Sequence, residues 1–98
     1  MSTVRFTRSA QDDLLEIWLL IAQDSATSAD NILNMIAHEA ELLSQQPFMG
    51  RARPELGSGI RSWATASPYI LFYTVVNGAV VVLRVLHHAR DIRQLKLV

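Results

Sequence analysis

The segment TVVNGAVVVLRVLHHARD, residues 74–91, ends an apolar stretch with a cluster of polar side chains. One arginine lies within the apolar stretch, and two adjacent histidines, a second arginine and an aspartate follow it: Arg84, His87, His88, Arg90 and Asp91. Arginine binds phosphate or carboxylate groups, and histidine donates or accepts a proton near neutral pH. Together with Arg61, these residues could cleave a phosphodiester by acid–base chemistry, or they could form a binding surface that carries out no reaction.

Length and composition predict one domain, residues 1–98, with a hydrophobic core of its own. The chain has 98 residues, and 50% of them are hydrophobic, which excludes a disordered protein. It contains no cysteine, so a disulfide framework and a thiolate metal site are excluded. No apolar leader and no run of membrane-spanning length is evident, so we expect a cytoplasmic protein without membrane contact.

Charge is divided unevenly between the two halves of the chain. Residues 1–50 hold two arginines against seven carboxylates, a balance of −5, and residues 51–98 hold seven basic residues against two carboxylates, a balance of +5. The basic half predicts a positive face directed at an acidic partner. The alternative is that the two halves neutralise each other across the fold.

The hydrophobic pattern predicts the order β-α-α-β-β-β. A short strand, STVRFT, precedes two amphipathic helices that start near Ser9 and Thr27, and Gln46-Pro47 ends the second helix. A loop over residues 47–59 leads to three strands, 60–65, 69–76 and 79–88. We therefore expect an α+β fold in which two antiparallel helices pack on one face of a small, largely antiparallel sheet. The predicted helix stripes are Leu14, Ile17, Trp18, Ile21 and Ala22, and Ile32, Leu33, Ile36, Ala40 and Leu43.

A type I′ turn at Asn77-Gly78 is predicted to set the register of the last hairpin, so that Tyr73 faces Val82 and Leu71 faces Arg84. The face predicted to lie under the helices carries Ile70, Phe72, Thr74, Val76, Val81, Leu83, Val85 and His87. The opposite face is predicted to stay open, with Arg84 between two tyrosines, and it carries Tyr69, Leu71, Tyr73, Val75, Val80, Val82, Arg84, Leu86 and His88. Because that face is also apolar, we expect a partner chain to cover it. The alternative is that Arg84 extends to solvent at a sheet edge and has no role.

The segments GIRSW, PYILFYTV and VVVLRVLHHARDI, in this order of elements, resemble the RelE/ParE toxin superfamily, and most closely its ParE branch, over essentially the whole chain. The resemblance implies a small cytoplasmic toxin of a type II toxin–antitoxin system, of the kind associated with plasmid stabilisation. It also implies a ParD-like antitoxin that forms a hetero-oligomer with the toxin and lays a C-terminal segment across its helices and sheet. ParE-type toxins are understood to poison DNA gyrase, whereas RelE-type toxins cleave messenger RNA on the ribosome.

The residues favour the gyrase inhibitor over the ribonuclease. RelE-type enzymes carry lysines in the loop before the second strand and a tyrosine near the C-terminus, whereas this loop has Arg51 and Arg53, and no tyrosine follows Tyr73. The chain is neutral, with a pI of about 6.8, although a ribosome-binding enzyme should be strongly basic. Strict alternation also places His87 and His88 on opposite faces. Two alternatives stay open: a RelE-type endonuclease that uses Arg61, Arg84 and His88, and a non-toxic homologue that only binds antitoxin.

We therefore predict a binding protein with no catalytic residue, no metal and no cofactor, which does not by itself recognise a DNA sequence. The predicted target- or antitoxin-binding residues are Arg61, Trp63, Tyr69, Tyr73, Val82, Arg84, His88, Arg90 and Arg93. The aromatic members and Val82, with the exposed rims of both helices, are assigned to the antitoxin, although Trp63 could instead belong to the core. The tail ARDIRQLKL is predicted to be a short helical turn or extended tail, with Ile92 and Leu95 packed back onto the domain, Asp91 paired with an arginine, and Arg90, Arg93 and Lys96 polar.

Overall fold

Two helices cover one face of a five-stranded sheet in a computed structural model that describes residues 4–93, 95 and 97. The helices are α1 (Arg8–Ala22) and α2 (Ala26–Gln45), and the strands are β1 (Arg5–Phe6), β2 (Arg51–Ala52), β3 (Arg61–Ala64), β4 (Tyr69–Val76) and β5 (Ala79–His87). The strand order is β1-β5-β4-β3-β2, in which β1 runs parallel to β5 and the other pairs are antiparallel. The predicted α+β fold and element order are confirmed. The predicted loop also contains β2 and a short 3-10 helix, Pro54–Leu56, whereas Ser2, Thr3 and Lys96 lie outside the described residues.

Each helix begins two residues earlier than predicted. The Thr7 hydroxyl accepts a hydrogen bond from Ala10 N at 3.1 Å, and Ser25 does the same for Ser28 N. The Thr7 hydroxyl also donates to Leu83 O at 2.9 Å, so the cap that starts α1 is tied to β5. Several hydroxyl residues stand near each helix start, and sequence alone did not identify the one in the extended conformation that a cap requires.

The main core lies between the helices and the sheet face that carries Leu71, Tyr73, Val80 and Val82. The helices contribute Ala10, Ile17, Ile36, Ala40 and Leu43, all buried. The prediction of which face the helices cover is therefore wrong. Both faces of β4 and β5 are apolar, so the sequence offers no polarity contrast by which to choose between them.

The sheet face opposite the helices is also covered, by other parts of the same chain. Leu56, Ile60, Phe72 and Leu86 form a second buried cluster there, and the C-terminal tail packs on it through Ile92, Leu95 and Leu97. The prediction that Ile92 and Leu95 pack back onto the domain is confirmed. This contact explains why the sheet face opposite the helices is apolar, because the tail shields much of it from water.

The hairpin turn is confirmed, but the register changes within the strands. Asn77 and Gly78 both have positive φ, 51° and 79°, as a type I′ turn requires. Tyr73 faces Val82 as predicted, but a bulge leaves Leu83 without a partner in β4, so Phe72 faces Arg84 and Leu71 faces Val85. The predicted pairing of Leu71 with Arg84 is therefore wrong.

The position of Trp18 on the predicted stripe of α1 indicates a core residue, and this prediction is wrong, because Trp18 is half-buried at the surface between the two helices. Its indole Nε1 donates to Asp30 Oδ1 at 2.8 Å and ties α1 to α2. Among the described residues, neither helix is long and apolar enough to cross a membrane.

Candidate functional site

Arg84 is part of a buried ion pair that joins β5 to α1. Its Nε donates to Asp13 Oδ2 at 2.7 Å, and its Nη2 donates to Asp13 Oδ1 at 3.0 Å. Asp13 Oδ2 also accepts from Val85 N at 2.9 Å, and only 7% of the Asp13 surface is exposed. The hydrogen bonds that Arg84 donates to the Asp13 carboxylate raise the pKa of Arg84, which stays charged. The prediction that Arg84 stands on an uncovered face between Tyr69 and Tyr73 is wrong.

Asp13 is not among the residues that the sequence singled out. It stands four residues before Ile17, so it lies on the same helical stripe as the core residues. A carboxylate on such a stripe requires a buried partner, and Arg84 was the available one. The spacing within α1 was therefore the signal that could have identified this pair.

His87 and His88 lie together at the end of β5. The strand ends at His87, and the two imidazole rings stack with centroids 4.5 Å apart, whereas strict alternation predicted opposite faces. His87 also meets the Tyr69 ring edge-on at 5.5 Å. Both histidines and Arg90 are exposed, so this end of the sheet presents groups that a partner can reach.

The ion pair predicted for Asp91 is confirmed. Arg93 Nη2 lies 2.7 Å from Asp91 Oδ2, and both side chains are exposed. The hydrogen bonds from Arg93 lower the pKa of Asp91. Because water surrounds the pair, its effect on stability is small, and Arg93 keeps part of its guanidinium available to solvent.

A cavity of about 240 Å³ lies between α1 and the end of β5. Its apolar floor includes Ile17, Val85 and Leu86, and its polar rim includes Glu16, His87 and Arg90. A cavity of this size holds a side chain rather than a large ligand. This part of the site is therefore suited to receiving a side chain of a protein partner.

Arg61 holds the loop that follows α2. Its Nη1 donates to Gly50 O at 2.7 Å and to Phe48 O at 3.2 Å, and its guanidinium lies 5.1 Å from the centre of the Phe48 ring. Strand β4 lies between Arg61 and Arg84, because Arg61 faces Tyr73 on one side and Arg84 faces Phe72 on the other. Arg61 and Arg84, the two arginines of the alternative endonuclease site, therefore make separate contacts on opposite sides of β4.

Trp63 is half-buried against the main core, in agreement with the alternative interpretation that it is a core residue. Its Nε1 donates to Glu39 Oε1 at 3.0 Å, while Glu39 Oε2 accepts from Ala66 N at 2.6 Å. Glu39 was not singled out from the sequence. It fixes the turn between β3 and β4 against α2, and the exposed part of Trp63 borders that turn.

Tyr69, Tyr73 and Val82 are buried in the main core, with 8%, 0% and 0% of their surfaces exposed. The Tyr73 hydroxyl donates to Pro47 O at 2.8 Å and accepts from Gly50 N at 2.9 Å. Their predicted position on an open face is wrong, because the helices cover that face. Side chains buried to this extent are not accessible to a partner, so these three residues belong to the core and not to a binding surface.

Apolar side chains are exposed on the outer sides of both helices instead. On α1 these are Leu15, Leu19 and Leu20, and on α2 they are Met35 and Leu42. Exposed leucines grouped on one helix mark an interaction surface more often than isolated ones do. The exposed surfaces of the helices, which were predicted to bind the antitoxin, are thus rich in apolar side chains.

Burial raises the pKa of Tyr73 above its ordinary value, although the hydrogen bond from Gly50 N opposes the shift. The unfolded chain then loses its Tyr73 proton at lower pH than the folded protein does, so stability falls as pH rises above about 10. We expect the urea midpoint to fall as pH rises above about 10, and to fall less in Tyr73→Phe. Equal pH dependence in the two proteins would contradict the assignment to Tyr73.

In the part of the chain that the structure describes, no group of three His, Asp or Glu side chains is placed to hold a metal ion. The candidate site consists of the stacked histidine pair, the exposed Arg90 and Arg93, the exposed leucines of α1 and the loop after α2 to which Arg61 is hydrogen-bonded. This arrangement is suited to binding proteins through apolar and cationic contacts.

Comparisons with known proteins agree with the fold. The family model described as "ParE toxin of type II toxin-antitoxin system, parDE" matches residues 4–92. A solved structure described as "Chromosomal ParDE TA system from P. aeruginosa" matches with a TM-score of 0.74 and 22% sequence identity, covering 89% of this chain and 96% of that chain. The comparison with curated proteins gives no match.

Proposed function

Because this chain belongs to the ParE toxin family of type II toxin–antitoxin systems, we propose that it inhibits DNA gyrase in the cytoplasm and is neutralised by a ParD-like antitoxin. The family match over residues 4–92 is the observation that carries the proposal. Toxin and antitoxin form a hetero-oligomer in this proposal, and the toxin acts by binding rather than by catalysis.

The contacts of the arginines support binding over catalysis. A ribonuclease of this fold needs cations free to meet a phosphate and an acid or base beside them. Here Arg84 is held by Asp13, and Arg61 is held by the carbonyls of Phe48 and Gly50. Arg84 therefore contributes to partner binding indirectly, by fixing β5 against α1.

For the antitoxin we propose the outer surface of the helices, with Trp63 at its border. The exposed leucines of α1 offer apolar anchors, and exposed carboxylates stand beside them, including Asp12 and Glu16. A segment that alternates apolar and basic side chains fits this surface. For the target we propose the exposed end of β5 and the tail after it, with His88, Arg90 and Arg93 as contact residues.

The test is a supercoiling assay with purified, antitoxin-free protein, scored for lost supercoiling and for trapped cleaved DNA. We expect gyrase to be inhibited, the inhibition to be reversed by the antitoxin encoded beside the toxin, and a type I topoisomerase on the same plasmid to be unaffected. No inhibition at micromolar protein would reject gyrase as the target. A translation assay would then decide whether messenger RNA is cleaved on the ribosome.

A further inference from the structure

The loop over residues 46–50, between α2 and β2, is held by hydrogen bonds along its whole length. Tyr73 bonds to Pro47 O and Gly50 N, Arg61 bonds to Phe48 O and Gly50 O, and Met49 N donates to Gln46 O at 3.0 Å. Tyr73 is fully buried, so one anchor of the loop is the core itself. We expect a loop held in this way to open less often than a loop whose backbone bonds only to water.

The loop holds its apolar side chains in solvent. Phe48 has 68% of its surface exposed and Met49 has 41%, and Phe48 is the most exposed large hydrophobic residue among those described. The exposed position of Phe48 follows from the hydrogen bonds that hold the loop backbone, and the Arg61 guanidinium lies over one side of the Phe48 ring. Exposure of an aromatic ring on a rigid support is costly in water and is typical of a contact residue.

We propose that Phe48 and Met49 form a second, preorganised contact by which the toxin engages its target, in addition to the end of β5, and that this target is a folded protein with an apolar pocket bordered by carboxylates. The basic side chains around the loop give the complementary charge, since residues 46–61 hold Arg51, Arg53 and Arg61 against the single carboxylate of Glu55. Glu55 is itself paired with Arg53 at 2.7 Å. Arg51 is exposed and is therefore the residue left to attract acidic groups of the partner, whereas Arg61 is occupied by the carbonyls of the loop and adds only its positive charge.

The shape of this contact favours a folded target over an antitoxin segment. Two adjacent side chains on a fixed loop make a small convex knob, which fits a preformed pocket and loses little entropy on binding. A flexible segment gains more from a long groove or face, such as the exposed helix surfaces. The knob and the exposed leucines of α1 also lie toward opposite edges of the sheet, because β2 forms one edge whereas α1 packs on β5 and β1 near the other. The end of α2, at Gln45, is the part of the helix surface that lies next to the knob in sequence.

This inference deepens the proposed function and rests on its toxin–target relation. The experiment expresses the wild-type chain, Phe48→Ala and Met49→Ala in cells without antitoxin and measures growth arrest. Affinity for the antitoxin and melting temperature are measured on the purified proteins. We expect Phe48→Ala to weaken toxicity by roughly tenfold or more, with an unchanged melting temperature and unchanged antitoxin affinity.

Two other exposed apolar residues serve as controls. Leu19→Ala, on α1, should weaken antitoxin binding while toxicity is retained, and Val76→Ala, beside the hairpin turn, should change neither. Full toxicity of Phe48→Ala, or a wild-type chain that arrests no growth, would overturn the inference. A loss of antitoxin affinity in Phe48→Ala would assign the knob to the antitoxin and would also overturn it.

The outcomes separate this inference from the identity of the target. If the wild-type protein inhibits gyrase and Phe48→Ala inhibits it equally, the inference fails and the gyrase proposal stands. If growth arrest depends on Phe48 while gyrase is unaffected, the inference stands and the gyrase proposal fails.

Discussion

Replacing Asp13 with alanine is expected to destabilise the protein by about 3–5 kcal/mol, the cost of breaking a buried ion pair by removing one partner. Asp13 is 7% exposed and accepts three hydrogen bonds, two from Arg84 and one from Val85 N. Its removal leaves the buried Val85 N–H without its acceptor, and it leaves the Arg84 guanidinium, whose side chain is 22% exposed, without its carboxylate. Urea unfolding followed by circular dichroism measures the change in the free energy of unfolding.

The neighbouring carboxylate provides a matched control. Asp12 is exposed and pairs with Arg8 one turn earlier at 3.4 Å, so Asp12→Ala should cost less than about 0.5 kcal/mol. Asp13→Asn keeps the shape and one acceptor, so it should fall between the two alanine variants. If Asp13→Ala unfolds at the same urea concentration as Asp12→Ala, the pair with Arg84 does not stabilise the fold.

Gly50→Ala is expected to cost about 3 kcal/mol or more, because it combines overpacking of the core with lost hydrogen bonds. A Cβ at this position would lie 2.7 Å from Tyr73 Cε1 and 2.9 Å from Ser62 O, and it would also overlap the Tyr73 hydroxyl. Tyr73 is fully enclosed and cannot move aside without disturbing the core. The variant should therefore release the loop at Pro47 and Gly50 as well as lower stability.

Gly78→Ala separates this contact effect from the backbone effect of replacing glycine. No atom lies within 4 Å of the Cβ that it adds, but φ at Gly78 is +79°, so the cost is about 1–2 kcal/mol from the left-handed conformation alone. Both variants are compared by urea unfolding and by growth arrest. A Gly50→Ala protein no less stable than Gly78→Ala would show that the close approach of Tyr73 to Gly50 is not needed.

The element order could be predicted because local signals agreed with one another. Apolar stripes at helical spacing identified α1 and α2, and Asn77-Gly78 fixed the first pairs of the hairpin. The face of the sheet under the helices could not be predicted, since Leu71 and Tyr73 alternate with the equally apolar Ile70 and Phe72. The choice between the two faces depends on tertiary packing, in which the helices cover one face and the C-terminal tail covers part of the other.

For the candidate site, residue type alone predicted only which side chains are exposed. His88, Arg90 and Arg93 follow a strand end, and the structure leaves them exposed as expected. Asp13 and Phe48 were missed for opposite reasons. A carboxylate in a helix is usually solvated, and a phenylalanine is usually buried, so each departs from the ordinary preference of its residue type.

The pairing of β1 with β5 has a consequence for folding during synthesis. Arg5 faces Val81 and the Thr7 hydroxyl bonds to Leu83 O, so the contacts that fix the first strand and the start of α1 span more than seventy residues of sequence. Contacts this distant in sequence slow folding, because a long loop must close before they form. On the ribosome, α1 and α2 can form as a helical hairpin while the chain is still growing. The sheet that holds the helices in place closes only after β5 has left the exit tunnel, so the fold stays incomplete until that strand emerges.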